Sequence, residues 1–160
     1  MNIRKATIGD LRQILEIYAY ARMQMKQNGN PTQWGDNRPS REAVLEDIRK
    51  GQSYIIEEKQ ICGVFAFIIG NDPTYQLIEQ GRWLNQAPYG TIHRLAGNGR
   101  AKGLFVQCVS YCMAMLPNIR IDTHEDNQIM RHLLEKNGFH KCGIIYVEDG
   151  SPRIAYQKCL

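Results

Sequence analysis

The sequence predicts an α/β (mixed α+β) fold in which about seven strands form a sheet with four flanking helices. An apolar stripe at helical spacing begins after Gly103, two β-rich runs are separated by the polar residues 57–60, and breaker-rich segments divide the rest into short periodic stretches. The predicted order is strand, two helices and two strands, then strand, helix, strand, helix and two strands.

The first half of the chain predicts one strand, two helices and a hairpin. A strand over residues 3–6 leads into a helix whose apolar residues recur at helical spacing over 11–23. A second helix is predicted over roughly 40–50, after a breaker-rich segment. The runs on either side of 57–60 predict an antiparallel hairpin whose second strand, 61–69, is central and buried.

The second half begins with a polar and aromatic excursion over 70–88, which we interpret as a loop on the substrate side because long excursions are often functional. The remaining predicted elements are a strand over 90–96, a helix from Gly103 to Leu116, a strand over 118–123, a helix over 127–136 ended by Asn137-Gly138, and strands near 142–147 and 152–158.

Length and composition predict one domain spanning residues 1–160. The chain is 43% hydrophobic and 22% charged, which disfavours disordered, fibrous and membrane classes. No apolar run approaches the ~20 residues of a membrane span, and the first ten residues lack the apolar core of a secretory signal. We therefore predict a cytoplasmic protein with no membrane partner.

The five cysteines include no CxxC pair, so neither a disulfide framework nor a metal site is predicted. Cys108 and Cys112 have the spacing of two ligands on one helix face, but they share the apolar stripe and lack obvious partner ligands. Core packing is the favoured interpretation of both.

A candidate anion site lies between the strand over 90–96 and the following helix. Free backbone N–H groups and the helix dipole favour an anion at such a position, glycine allows close approach, and basic side chains add positive charge. Taken alone, such a segment is more often a simple turn. The residues concerned are Arg100, Ala101, Lys102, Gly103, Leu104 and Phe105.

A second motif supports the interpretation of this loop as an anion site. Asn127 and the run LLEKNGF at 133–139 follow the loop at about one helix-plus-strand length. With the loop at 100–105, they resemble the GNAT (N-acetyltransferase) superfamily, which has an RxxGx(G/A) loop that binds the pyrophosphate of coenzyme A (CoA). An overlapping register at 94–99 fits the letters better but would place residues 99–102 inside the helix.

The resemblance implies a mostly antiparallel, twisted sheet that splays apart between the fourth and fifth strands. It also implies that acetyl-CoA is the acyl donor and that its pantetheine arm pairs with backbone near His93, Arg94 and Leu95, with Asn127 contacting the cofactor nearby. The acceptor would be an amine of a small molecule or a protein, and a homodimer is left open. Two departures are Phe105, where the family prefers a small residue, and Leu134, where many members place a tyrosine as general acid.

Acylation of an amine requires a base, or a water chain leading to one, because an alkylammonium must be deprotonated at a cost of roughly 4 to 5 kcal/mol at pH 7. The ionisable residues nearest the implied splay are His93 and the group Asp122, His124 and Glu125. Strand alternation places Arg120, Asp122 and His124 on one face, where a plain hydrogen-bonded network is an equal alternative.

We predict His93, Asp122 and Tyr146 as catalytic residues, with Tyr146 or Tyr156 replacing the missing tyrosine acid. Aromatic residues in strands are more often packing residues, and this remains the alternative for both tyrosines. Four aromatic residues of the irregular segments could line an acceptor pocket or anchor their loops: Trp34, Tyr75, Trp83 and Tyr89.

Two alternatives to an enzyme remain open. One is a non-catalytic acyl-CoA-binding domain, suggested by Leu134 and Phe105. The other is a nucleic-acid-binding domain, suggested by the net charge of +4 and by Arg94, Arg100 and Lys102. The favoured prediction is an N-acetyltransferase that has no nucleic-acid partner.

Overall fold

The computed structural model describes all 160 residues and contains one seven-stranded sheet with helices on both faces. This confirms the predicted α/β fold and element order. The elements are β1 (Asn2–Lys5), α1 (Leu11–Gln27), α2 (Arg41–Arg49), β2 (Ser53–Glu58), β3 (Gln60–Ile69), β4 (Gly90–Gly97), α3 (Leu104–Met115), β5 (Asn118–Thr123), α4 (Gln128–Lys136), β6 (His140–Tyr146) and β7 (Pro152–Cys159). Short 3₁₀ turns at Ile8–Asp10 and Pro73–Tyr75 are additional.

Local capping explains several helix boundaries. The Ser40 hydroxyl accepts a hydrogen bond from Ala43 N at 3.1 Å, which satisfies one free N–H at the start of α2. Gly103 precedes α3 with φ of 77°, a left-handed conformation that glycine adopts without steric cost. Gly138, with φ of 85°, follows the end of α4.

The sheet is antiparallel except at one pair of strands, with the order β1-β2-β3-β4-β5-β7-β6. The parallel pair is β4 and β5, which are joined only at Gly90–Thr91 and Ile119–Arg120. Beyond this short contact the two strands are no longer paired. The predicted splay between the fourth and fifth strands is therefore confirmed.

The core has three parts. The largest part lies between the sheet and helices α3 and α4, and a second part lies under α1 and α2 on the opposite face. A third part lies under the chain between β3 and β4, which we call the 70–89 segment, where it covers β6 and β7. None of the helices combines the length and apolar character needed to cross a bilayer.

Candidate active site

A cavity of about 660 Å³ opens where β4 and β5 diverge. Its walls come from these two strands, the α1–α2 loop, the start of the 70–89 segment and the β6–β7 turn. Six of the predicted catalytic and cofactor-binding residues line it: His93, Arg94, Leu95, Phe105, Asp122 and Asn127. The structure therefore brings together most of the predicted strand residues.

A β-bulge in β4 shapes one wall of this cavity. Val64 lies opposite Ala96, and Ala66 lies opposite His93, so that Arg94 and Leu95 together oppose one residue of β3. Because β4 and β5 are paired only at the start of β4, the edge of β4 that faces the gap has no strand partner along the bulge. Backbone groups on this edge are free to pair with an extended ligand.

The bulge is held by a partly buried ion pair. Arg94 has φ of 54°, an uncommon value for a residue with a side chain, and such strain costs of order 1 kcal/mol or more. Its guanidinium donates two hydrogen bonds to the buried Asp47, from Nε at 2.8 Å and from Nη2 at 2.7 Å. The Tyr18 hydroxyl donates to the Arg94 carbonyl at 2.8 Å. These contacts hold the strained backbone in place. The Arg94 guanidinium is already paired, so it does not act as a free basic group on the surface.

His93 forms a pair with Asp72, with Nε2 lying 3.1 Å from Asp72 Oδ2. Burial raises the pKa of Asp72, but hydrogen bonds from His93, Thr74 Oγ1 and Thr74 N outweigh this effect and hold the pKa at about 2. The carboxylate is therefore ionised at neutral pH and can only accept hydrogen bonds, so the proton is assigned to Nε2. The other ring nitrogen, Nδ1, makes no hydrogen bond within the protein and can accept a proton.

Asp122 accepts a hydrogen bond of 2.6 Å from the hydroxyl of Tyr75. Burial, together with the charge of Asp122, raises the pKa of Tyr75 well above its usual value, so this phenol stays protonated as a donor. Asp122 lies on the same sheet face as Arg120, as strand alternation predicted. His124 lies just beyond β5, where its ring contacts Thr32 at 3.3 Å.

Aromatic contacts show which aromatic residues of the irregular segments anchor their loops and which line the cavity. The Arg120 guanidinium lies between Trp83 and Tyr89, at 4.2 and 3.9 Å from their ring centroids, and Trp83 Nε1 donates to the Tyr75 carbonyl at 2.9 Å. All three aromatic side chains are buried, so they anchor the 70–89 segment. Trp34, in contrast, lines the cavity.

The start of α3 presents backbone donors. The N–H groups of residues 103–106 have no acceptor within the protein, and a Cβ added at Gly103 would meet nothing within 4 Å. Both features fit the binding of a phosphate, because the first turn of a helix attracts anions and the approach is open. Lys102 is exposed beside these groups, while Arg100 donates to Gln60 at 2.6 Å.

Packing connects this loop to the cavity. A Cβ at Gly97 would lie 2.5 Å from Leu104 Cδ1, so the absence of a side chain at Gly97 makes room for Leu104. Ala101 and Leu104 pack against the main core. The ring of Phe105 is buried against Phe139, with centroids 6.1 Å apart. Phe105, which stands where the family prefers a small residue, therefore points into the core and also borders the cavity.

Asn127 has a structural role as well as its place in the cavity wall. Its Oδ1 accepts a hydrogen bond from Met130 N at 3.1 Å, which caps α4, and its Nδ2 donates to Gln33 Oε1 at 3.1 Å. The side chain is therefore held by two contacts that fix its orientation.

No tyrosine lines the cavity. The Tyr146 hydroxyl lies 3.4 Å from Glu79 Oε2, outside the cavity, so the structure does not bring Tyr146 together with His93 and Asp122. Tyr156 is fully buried, and its hydroxyl has no partner within the protein. Leu134 is also fully buried in the main core.

Several residues of the site were missed by sequence analysis. Asp72 fell inside the predicted substrate-side loop, but nothing in the sequence marked it as the partner of His93. Asp47 and Arg153 carried no signal, because their significance depends on contacts with residues that are distant along the chain.

Comparison with solved structures places this architecture among known proteins. A GNAT-family acetyltransferase from Streptococcus agalactiae matches with a TM-score of 0.86 and 31% sequence identity, covering 99% of this chain and 95% of that chain. A putative acetyltransferase from Staphylococcus aureus matches with a TM-score of 0.70 and 29% identity, covering 99% of both chains. A GNAT-family acetyltransferase from Listeria monocytogenes, at 21% identity, shares the fold with a TM-score of 0.72 and coverage of 99% of this chain and 94% of its own. No protein-family model and no curated protein sequence matches this chain.

The split sheet, the free N–H groups at the start of α3 and these similarities define the protein as an acetyltransferase. The likeness to the streptococcal enzyme extends over nearly the whole of both chains. The chain belongs to the GNAT family.

Proposed function

We propose that this enzyme transfers an acetyl group from acetyl-CoA to an amine, with residues 1–160 acting as one acyltransferase domain. The observation that supports this most directly is the cavity between β4 and β5. The pair formed by His93 and Asp72 borders this cavity. The free N–H groups of residues 103–106 lie at the start of α3, and Phe105 in this turn also borders the cavity.

The residues present fit CoA at two places. The free N–H groups of Gly103 and Leu104, with Lys102 beside them, would bind the pyrophosphate. The unpaired edge of β4 at His93–Leu95 would bind the amide groups of the pantetheine arm. When bound, acetyl-CoA would supply the acyl group in the activated form of a thioester, and CoA would leave as a thiolate that takes up the second proton lost by the amine as the amide forms. A structure of the NatC complex, which matches this chain with a TM-score of 0.64 and 15% identity, is bound to CoA and a Gag peptide.

His93 would act as the general base. An acceptor amine arrives mainly as an ammonium ion and becomes a nucleophile only after losing its proton. Nδ1 of His93 is free to accept this proton, and the imidazolium that forms would be stabilised by the ionised Asp72 at 3.1 Å. Asp72 is therefore a positioning residue, since it orients the ring and compensates its charge.

The test measures CoA binding by calorimetry and thiol release with a panel of primary amines. We expect His93→Gln to lower kcat by about 10²- to 10⁴-fold while the Kd for CoA stays unchanged, because the base is removed and the free edge of β4 is kept. Asp72→Asn should lower kcat by roughly 10-fold or more. His140→Gln, at an exposed histidine on β6, is the matched control and should retain full activity.

Each result bears on the proposal. A wild-type kcat in His93→Gln would contradict the assigned base. CoA binding without turnover on any amine would instead indicate a non-catalytic CoA-binding domain. The absence of CoA binding by the wild type would contradict the proposed function as a whole.

A further inference from the structure

We propose that the acceptor is a small amine that also carries a carboxylate, and that Arg153 binds this carboxylate. The inference rests on the proposed function, since it concerns the acceptor side of the same cavity. It gives the substrate class that the fold alone leaves open.

Arg153 is a buried cation that faces the cavity without an ionic partner. It lies on β7, has a residue exposure of 6%, and lines the cavity. Its Nη1 donates to the Pro152 carbonyl at 2.9 Å, and the rest of the guanidinium makes no hydrogen bond within the protein. No carboxylate lies within 4 Å of it. A guanidinium in a low-dielectric site is costly unless it is paired, and its planar fork matches a carboxylate.

The other cations of the cavity wall differ from Arg153 in this respect, because each already has a carboxylate within 4 Å. The pairs are Arg38 with Asp149 at 3.8 Å, His93 with Asp72 at 3.1 Å and Arg94 with Asp47 at 2.7 Å.

Asp122 provides the complementary charge for the amine. On β5 it lies opposite Ala155 of β7, and Arg153 is two residues from Ala155, so both side chains project from the same sheet face. Both line the cavity, yet they form no ion pair with each other. Arg153 and Asp122 are therefore two opposite charges held apart, which is the arrangement that a zwitterion complements.

The carboxylates at the cavity mouth make neither a hydrogen bond nor an ion pair with Arg153. Glu148 is exposed on the β6–β7 turn, and Asp149 of the same turn is half-exposed and pairs with Arg38. Their carboxylates are screened by water, whereas a ligand carboxylate inside the cavity would meet the guanidinium directly. A charge-assisted, two-point contact of this type also fixes the orientation of the acceptor.

The experiment compares a panel of L-amino acids with the matching amino alcohols as acceptors in the thiol-release assay. The amino alcohol keeps the amine and the side chain and carries a neutral hydroxymethyl group in place of the carboxylate. We expect kcat/KM to be on the order of 100-fold higher for the amino acids, mostly through KM, because a buried charged contact is lost in the alcohols. This comparison needs no variant, so it does not depend on the folding of a mutant.

Arg153→Gln should reduce the preference for the carboxylate to within a few-fold, while the Kd for CoA measured by calorimetry stays unchanged. Arg38→Gln is the matched control, because this arginine also borders the cavity but is already paired, and most of the preference should persist. Equal kcat/KM for both panels in the wild type would overturn the inference and leave the acetyltransferase proposal intact. Loss of the preference in Arg38→Gln but not in Arg153→Gln would also overturn it. Failure of every amine in both panels, in an enzyme that still acetylates other primary amines, would overturn the inference, whereas failure of those other amines as well would contradict the proposed function.

Discussion

A carboxylate introduced at Gly103 should weaken CoA binding without lowering the stability of the fold. Gly103 has φ of 77° and precedes the first turn of α3, and a side chain added there meets nothing within 4 Å. Gly103→Glu and Gly103→Gln therefore share the same backbone strain, of order 1 kcal/mol, and nearly the same size. They differ in one negative charge beside N–H groups that have no acceptor in the protein.

The two effects of this charge have opposite signs. An acidic group at the start of a helix stabilises the fold by about 0.3 to 1 kcal/mol through the helix dipole. The same charge, at roughly 6 Å from a pyrophosphate with two negative charges and with an effective dielectric constant of about 40, weakens binding by about 3 kcal/mol, or about 100-fold in Kd.

Calorimetry with CoA and thermal unfolding of both variants test this reasoning. Gly103→Glu should unfold at a temperature no lower than Gly103→Gln, yet bind CoA about 100-fold more weakly. The difference in Kd should shrink as salt is added, because the repulsion is screened. Equal Kd values for the two variants at low salt would refute the assignment of the pyrophosphate to the start of α3.

Two further predictions concern the ion pairs that support the site. Asp47→Asn should lower the free energy of unfolding by about 3 kcal/mol, because it leaves the Arg94 guanidinium without its carboxylate. Urea unfolding measures this change. The control is Glu16→Gln at an exposed ion pair, which should cost less than about 1 kcal/mol. An unchanged urea midpoint in Asp47→Asn would show that the pair does not hold the bulge. The folded-state pKa of Asp72, about 2, lies below its unfolded value of about 3.9, which corresponds to about 2.6 kcal/mol at most. Because water partly screens this carboxylate, its contribution is about 2 kcal/mol or less, present above pH 4 and lost as pH falls toward 2. The stability gap between the wild type and Asp72→Asn should therefore close over that range in urea titrations, and a gap independent of pH would contradict the assigned pKa.

Much of the fold could be predicted from sequence because its signals are local. The hairpin of β2 and β3, the stripe of α3 and the Asn137-Gly138 stop of α4 each depend on residues within a few positions of one another. The family motif around Gly103 is equally local. The predicted boundaries therefore differ from the observed ones by only a few residues.

The candidate site was predicted less completely. His93 and Asp122 were identified because they lie at the predicted splay, and the structure places both in one cavity. The sequence predicts Tyr146 as a substitute acid from its residue type alone, but its hydroxyl lies near Glu79. The position of Tyr146 on a strand could not indicate whether its side chain reaches the cavity.

The sequence by itself determined the elements, their order and the family, because periodicity, capping and the glycine-rich loop are properties of neighbouring residues. Only the tertiary structure decided the partners within the site. Asp72 lies 21 residues before His93, and Asp47 lies 47 residues before Arg94. Such pairs form only after strand register, the bulge in β4 and the course of the 70–89 segment bring them together, and no local pattern encodes those distances.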